Sequence, residues 1–194
     1  MTSLQSRKQQ LVRDAIFDAA IDLFAANGFD ETTVDEIAQS AGVSRRSFFR
    51  YFASKDDVLA QNVLNYGAVL VETVKTSAPA MSPLEIVRAT IASGVRFTSS
   101  QPRLCQIVEI AVRSPAARRS HLSRLIDVED HLAAAFAERL KDSSSGALRP
   151  RLLAGLTLAV MNAAISSWFT GEHKDLATAG KRALATVARV FSHK

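Results

Sequence analysis

Cysteine is almost missing from this chain: Cys105 stands alone among 194 residues. That excludes a disulfide framework and a thiolate-only metal site. Histidine is scarce as well. None of His121, His131, His173 and His193 pairs at i, i+4, the spacing that sets two imidazoles on one helix face, so no metal is expected. Eight glycines and five prolines are too few for a collagen-like or low-complexity chain. No stretch alternates polar and apolar residues long enough for a convincing strand. A nucleophile elbow, a phosphate loop and a dinucleotide fingerprint are all lacking, so no catalytic residue and no cofactor are expected. No basic-then-apolar segment opens the chain, which points to the cytoplasm.

What is present argues for a folded, helical protein. Hydrophobic residues make up 47% and charged residues 22%, a balance that supports a sizeable core and excludes intrinsic disorder. One run, Leu152 to Phe169, carries no charge and reaches the lower limit of a membrane span. It holds Thr157, Asn162, Ser166 and Ser167, with Arg149 and Arg151 just before it. That polar load fits a helix buried between protein surfaces better than one in lipid, so no membrane partner is expected.

The net charge is +5, but its placement says more than its size. Within residues 1–55, Arg7, Lys8, Arg13, Arg45, Arg46, Arg50 and Lys55 are balanced by Asp14, Asp18, Asp22, Asp30, Glu31, Asp35 and Glu36. Yet Ser44 to Lys55 holds four of those positive charges and no negative one. A local basic face on a neutral module suits docking to nucleic acid.

The 3.6-residue period predicts an all-α chain of roughly nine helices, three short ones first and then a larger bundle. Val12, Ile16, Ala19, Ala20, Leu23 and Phe24 form one apolar stripe, closed by Asn27-Gly28. Thr33 to Glu36 reads as a capping box ahead of Ile37 and Ala38. Ser44 is placed to cap a third helix carrying Phe48, Phe49 and Phe52, and Ser54 a fourth with Asp56 and Asp57 in its first turn. Ser82-Pro83-Leu84-Glu85 and Ser114-Pro115 open later helices. Asp142 to Gly146 is the clearest loop, and two helices follow it, at about 150–170 and 172–192.

Val34 to Phe52, VDEIAQSAGVSRRSFFRYF, meets each requirement of a helix-turn-helix. Ala38 is small enough for a close crossing, and Gly42 supplies the positive φ of the turn. Ile37, Val43, Phe48 and Phe52 supply the inner faces. The outer face of the second helix then presents Arg45, Arg46, Ser47 and Arg50. Arginine grips guanine or phosphate, and serine contacts either kind of group. The bland alternative is a helical hairpin with solvated arginines.

The segment GFDETTVDEIAQSAGVSRRSFFRYFASKDDVL closely resembles the N-terminal domain of TetR/AcrR-type transcriptional regulators, over about residues 8–60. The resemblance runs through Thr32 or Thr33, through Val43 to Phe52, and through Ser54 to Val58. It implies base contacts from Arg45, Arg46 and Ser47. It implies phosphate contacts from Thr33, the neighbourhood of Phe49, Tyr51 and Lys55, and Ser44 joins this set as the cap of the recognition helix. The family often carries tyrosine at position 49, whose hydroxyl holds phosphate. Phe49 has no hydroxyl, which leaves that contact to Arg50 or Tyr51.

The resemblance further implies a DNA-binding domain at 1–55, then an effector-binding and dimerisation domain at 56–194 whose last two helices pair between protomers. The residues agree. Ala154, Gly155, Ala159, Ala163 and Ala164 permit close approach, and both helices are too apolar to face water. Leu156, Val160, Ala163, Trp168, Leu184, Val187 and Phe191 are the interface candidates. Operators read by helix-turn-helix proteins are usually palindromic, which favours a homodimer.

For an effector, the middle helices, about 82–142, are rich in small aliphatics and poor in aromatics, so Phe97 and Phe136, with Tyr66 on the fourth helix as the near wall, are pocket candidates for a mostly apolar molecule. Arg113, Arg118, Arg119, His121 and Arg124 form a basic cluster opening a central helix. It is either a solvated face or an anion clamp at the pocket mouth, where an acidic end of the ligand could reach Arg113, Arg118 or Arg119. RRSFFRYF is similar to a branch of the family with an acyl-CoA-like effector domain, which would suit an acyl-bearing ligand. The expectation is a ligand-released repressor acting as a homodimer on double-stranded DNA. The rivals are a helix-turn-helix used for non-specific DNA or protein contact, and an all-helical enzyme.

Overall fold

The computed structural model describes residues 4–140 and 146–192. The side chains of residues 188 and 190–192 lie outside the described set, and with them the interface candidate Phe191; of the 142–146 loop only Gly146 is described. Among the described residues there are nine helices: α1 (Leu4–Asn27), α2 (Val34–Ser40), α3 (Arg45–Tyr51), α4 (Lys55–Thr76), α5 (Pro83–Ser99), α6 (Leu104–Arg113), α7 (Pro115–Leu140), α8 (Leu148–Phe169) and α9 (Leu176–Ser192).

Local chemistry sets most of these boundaries. Thr33 caps α2 in a full capping box: its hydroxyl accepts from the Glu36 amide at 3.2 Å, and Glu36 accepts from the Thr33 amide at 2.8 Å. Ser82 and Glu85 repeat the device at α5, with Pro83 in the first turn. Ser54 caps α4 through the Asp57 amide, and Ser114 caps α7 through the Ala117 amide. The last helix begins at Leu176, later than the sequence expectation of about 172. Gly171 takes a φ of 80° after α8, and the Asp175 carboxylate then accepts from the Thr178 amide at 2.7 Å. That bond holds the Asp175 carboxyl below the usual carboxylate range.

The helices gather into two compact units that interleave along the chain. One runs to Asn62 and adds Arg103–Arg124; the other takes Val63–Pro102 and the chain from Leu125 onward. The boundary drawn from the sequence, at 55/56, instead falls at the first turn of α4.

In the first unit, Ile16, Ala20, Phe24, Ile37, Phe48, Phe52 and Leu59 share one core with Ile107 and Ile110 of α6. Each fully buried residue of this size contributes about 1.5–3 kcal/mol. Polar contacts fix α6 in the same unit. The Arg103 guanidinium meets Asp18 at 2.8 Å and Asp22 at 3.2 Å on α1, and the Ser114 hydroxyl donates to Asp30 at 2.9 Å. On α4, Asp57 pairs with Arg124 of α7 at 2.7 Å.

His121, also in this unit, has a buried Nδ1 with no hydrogen-bond partner among the described residues. Burial lowers its pKa below the ordinary 6.5, because a charged imidazole would lose its water. The unfolded chain then binds a proton that the folded chain refuses. Stability should therefore fall as the pH drops through 6.5, and His121→Asn should flatten that part of a chemical-denaturation profile.

In the second unit α5, α8 and α9 pack together. α8 is long and apolar enough to cross a membrane, with a mean hydropathy of 1.6 over its most apolar window. Its buried residues, Ala154, Thr157, Leu158, Met161 and Ala164, recur at helical spacing. Thr157 satisfies its hydroxyl on the Leu153 carbonyl at 2.8 Å. Gly180 of α9 leaves room for Val95 of α5, whose side chain would stand 2.8 Å from an added Cβ.

Candidate nucleic-acid interface

The turn between α2 and α3 is built as the sequence required. Gly42 adopts a φ of 67°, and the Val43 amide returns to the Ala38 carbonyl at 2.9 Å. Ala38 and Ile37 are buried below it. Ser44 caps α3 by accepting from the Ser47 amide at 3.1 Å, leaving the N-terminal turn of α3 outward. Phe48 and Phe52 anchor α3 to the core, at 0% and 3% exposure. Phe49, one position on, points the other way and is 46% exposed. It lies edge-on to Phe48, with ring centroids 5.4 Å apart.

The three arginines of α3 are held differently. Arg45 pairs with Asp35 of α2 at 2.6 Å and covers the Phe49 ring, 5.5 Å from its centroid. Both partners are largely exposed, so the pair adds little stability, but it sets the direction of the guanidinium. Arg50 donates to the Ser47 hydroxyl at 3.2 Å and lies over the Tyr51 ring. Arg46 is exposed, and among the described residues its side chain has no partner. Thr33 keeps its hydroxyl on Glu36 at 2.8 Å, and that bond and the Thr33 amide hold the Glu36 carboxyl below its usual range, the amide more strongly.

Lys55 has a different setting from a phosphate ligand. Its ammonium donates to the carbonyls of Phe29 at 2.6 Å, Asp30 at 2.9 Å and Thr32 at 2.9 Å, and it lies over the Phe29 ring. All three protons are thus engaged in tying the start of α4 to the α1–α2 connection. No sequence signal announced this, because the acceptors are main-chain atoms 23–26 residues away. Lys55→Met should lower the unfolding free energy by about 1–3 kcal/mol, since three carbonyls lose their donor. A lysine gripping phosphate would instead change the salt slope of DNA binding by about one. We expect a change well below that, measured by anisotropy across a salt series.

Arg13 completes the support. It donates from Nε to Gln61 at 2.9 Å and lies 4.8 Å from the Phe52 ring centroid, which braces the end of α3.

The effector candidates fall in both units. In the second, Tyr66 and Phe97 come together with ring centroids 6.5 Å apart, and Phe136 is fully buried. The arginines belong to the first. Arg113 pairs with Glu109, Arg118 folds back on the carbonyl of Val112 at 3.2 Å, and Arg119 is exposed. Arg118 thereby covers the C-terminal carbonyls of α6.

Of the interface candidates, Leu156, Trp168, Leu184 and Val187 are half-buried and Ala163 is exposed. Val160 is 2% exposed within a single chain. It is buried by its own helices and also borders the groove along α8 and α9. Leu156, Ala159, Ala163, Ala183 and Val187 line an open groove of about 490 Å³ along α8 and α9.

This is a helix-turn-helix protein whose second helix is anchored through Phe48 and Phe52 to a core shared by α1, α2, α4 and α6. The family description "Bacterial regulatory proteins, tetR family" matches residues 16–61, and "MftR C-terminal domain" matches residues 81–192. The chain belongs to the TetR family of transcriptional regulators and is a DNA-binding regulator, not an enzyme. The HTH-type transcriptional regulator TcmR of Streptomyces glaucescens is 26% identical over 180 residues, covering 89% of this chain and 80% of that protein. The regulator named MftR of Mycobacterium tuberculosis is 26% identical over 174 residues, covering 89% and 87%. Among solved structures, SmeT, the repressor of the Stenotrophomonas maltophilia multidrug efflux pump SmeDEF, superposes with a TM-score of 0.60 at 25% identity, over 89% of this chain and 86% of that one. FadR of Bacillus subtilis, solved with stearoyl-CoA, gives a TM-score of 0.60 at 21% identity, over 89% and 95%, and shares the fold.

Proposed function

We propose that this regulator is a homodimeric repressor that binds a palindromic operator and is released by a small, mostly apolar effector. The outward N-terminal turn of α3, with Arg46 unengaged and Arg45 and Ser47 beside it, carries the DNA reading. Direct readout of base edges uses that part of a recognition helix. Thr33, Ser44, Phe49, Arg50 and Tyr51 flank it as candidate backbone or edge contacts. The apolar groove of α8 and α9 supports pairing with a second copy, which places two heads on one site. The Tyr66–Phe97 cluster supports an effector site in the second unit. SmeT was solved with triclosan and FadR with stearoyl-CoA, two molecules of unlike shape that each carry a large apolar part. The effector would act by preferring a conformation that does not fit DNA, and its differential affinity sets how far the population shifts. Such a protein works in the cytoplasm, where its DNA is.

Selection of bound fragments from a genomic DNA pool tests this. The expected result is an inverted repeat with half-sites about 34–36 Å apart. Equal affinity for all fragments would favour a non-specific DNA-packing protein instead.

A further inference from the structure

We infer that Tyr66 is the polar anchor of the effector site and selects a neutral ligand that carries a hydrogen-bond acceptor on an apolar body. This rests on the effector-responsive reading above and narrows it to a ligand class.

Tyr66 lies on α4 and is 9% exposed. Its ring packs beside Phe97, and Gly94 of α5 is what allows the ring so close. A Cβ at Gly94 would stand 3.1 Å from the Tyr66 ring and 3.0 Å from Leu70. Met161 of α8 borders the same point. Among the described residues the Tyr66 hydroxyl is the one side-chain oxygen that is buried without a hydrogen-bond partner. A buried polar group without a partner is a net loss to the fold. Phenylalanine would fill the same volume without it.

The missing partner has a definable chemistry. Burial pushes the phenol pKa up, so the hydroxyl keeps its proton and donates. A carboxylate would accept that proton's hydrogen bond, but at a buried hydroxyl it would lose its own water. A ketone, ester, thioester or ether oxygen accepts equally well and brings no charge. The arginine cluster at 113–119 is not required.

The test uses acetophenone, ethylbenzene and benzoate, which share a ring and differ in the acceptor. Binding to the full chain and to Tyr66→Phe is followed by thermal shift and calorimetry, with operator anisotropy on the same samples. Acetophenone should bind the wild type about fivefold more tightly than ethylbenzene, the size of one net hydrogen bond. Benzoate should bind weakest. In Tyr66→Phe the preference for acetophenone should vanish while ethylbenzene affinity holds, and the unliganded variant should melt at or above the wild-type temperature. Three results overturn the inference: neither neutral probe binds the wild type, benzoate binds best, or Tyr66→Phe melts several degrees lower with the preference intact. Operator selectivity of the unliganded protein reads the regulatory function separately. Its loss would sink that function whatever Tyr66 does.

Discussion

Ala163→Asp should convert the protein from dimer to monomer and remove tight operator binding. Ala163 is exposed on α8 and lines the apolar groove that α8 and α9 form together. In a two-fold dimer the same patch faces itself, so one substitution places two carboxylates at one interface. Each would be stripped of water without a partner, at several kcal/mol, and the two would repel. Because the position is exposed in the single chain, the protomer itself should keep its helix content and its melting temperature. A monomer presents one recognition helix, and losing the second half-site should lower operator affinity by orders of magnitude. Light scattering reads the mass, and anisotropy reads the binding. Ala92→Asp, at an exposed position of α5, is the control for added charge. A soluble, dimeric Ala163→Asp would move the interface elsewhere. Val160→Asp should behave differently and unfold the protomer, because Val160 is buried within one chain.

Arg46→Ala should cost about 1–3 kcal/mol on the operator and far less on random DNA. The reason lies in what the three arginines of α3 are doing before DNA arrives. Arg45 is paired with Asp35, and Arg50 rests on Ser47 and Tyr51. Arg46 sits in the first turn, next to the Ser44 cap, and has no internal contact to surrender. It can meet a base edge without rearrangement, and a bidentate grip on guanine distinguishes one sequence from another. Competition binding with operator and scrambled duplexes at fixed salt separates the two losses. Equal losses on both would make Arg46 a phosphate contact.

Much of this protein was legible in local spacing. The Thr33–Glu36 box, the Ser44 and Ser54 caps, the Ser82-Pro83 start and the positive φ of Gly42 each involve residues within four positions of one another. Their geometry is therefore decided before the chain meets itself. The apolar stripe of α1 and the inner faces of α2 and α3 follow from the helical period for the same reason. Fold class and the DNA-binding module could thus be read from order alone. What remained undecided depended on partners far along the chain. Lys55 ends on carbonyls of the α1–α2 connection, Arg45 on Asp35, and Arg103 on a carboxylate 81 residues earlier. Periodicity says which side of a helix is apolar, but not what covers it. So the phenol of Tyr66 looks like an ordinary aromatic until its oxygen is found buried without a partner among the described residues. Charge and hydrogen-bond assignments of this kind are properties of proximity in space, which only the packed chain creates.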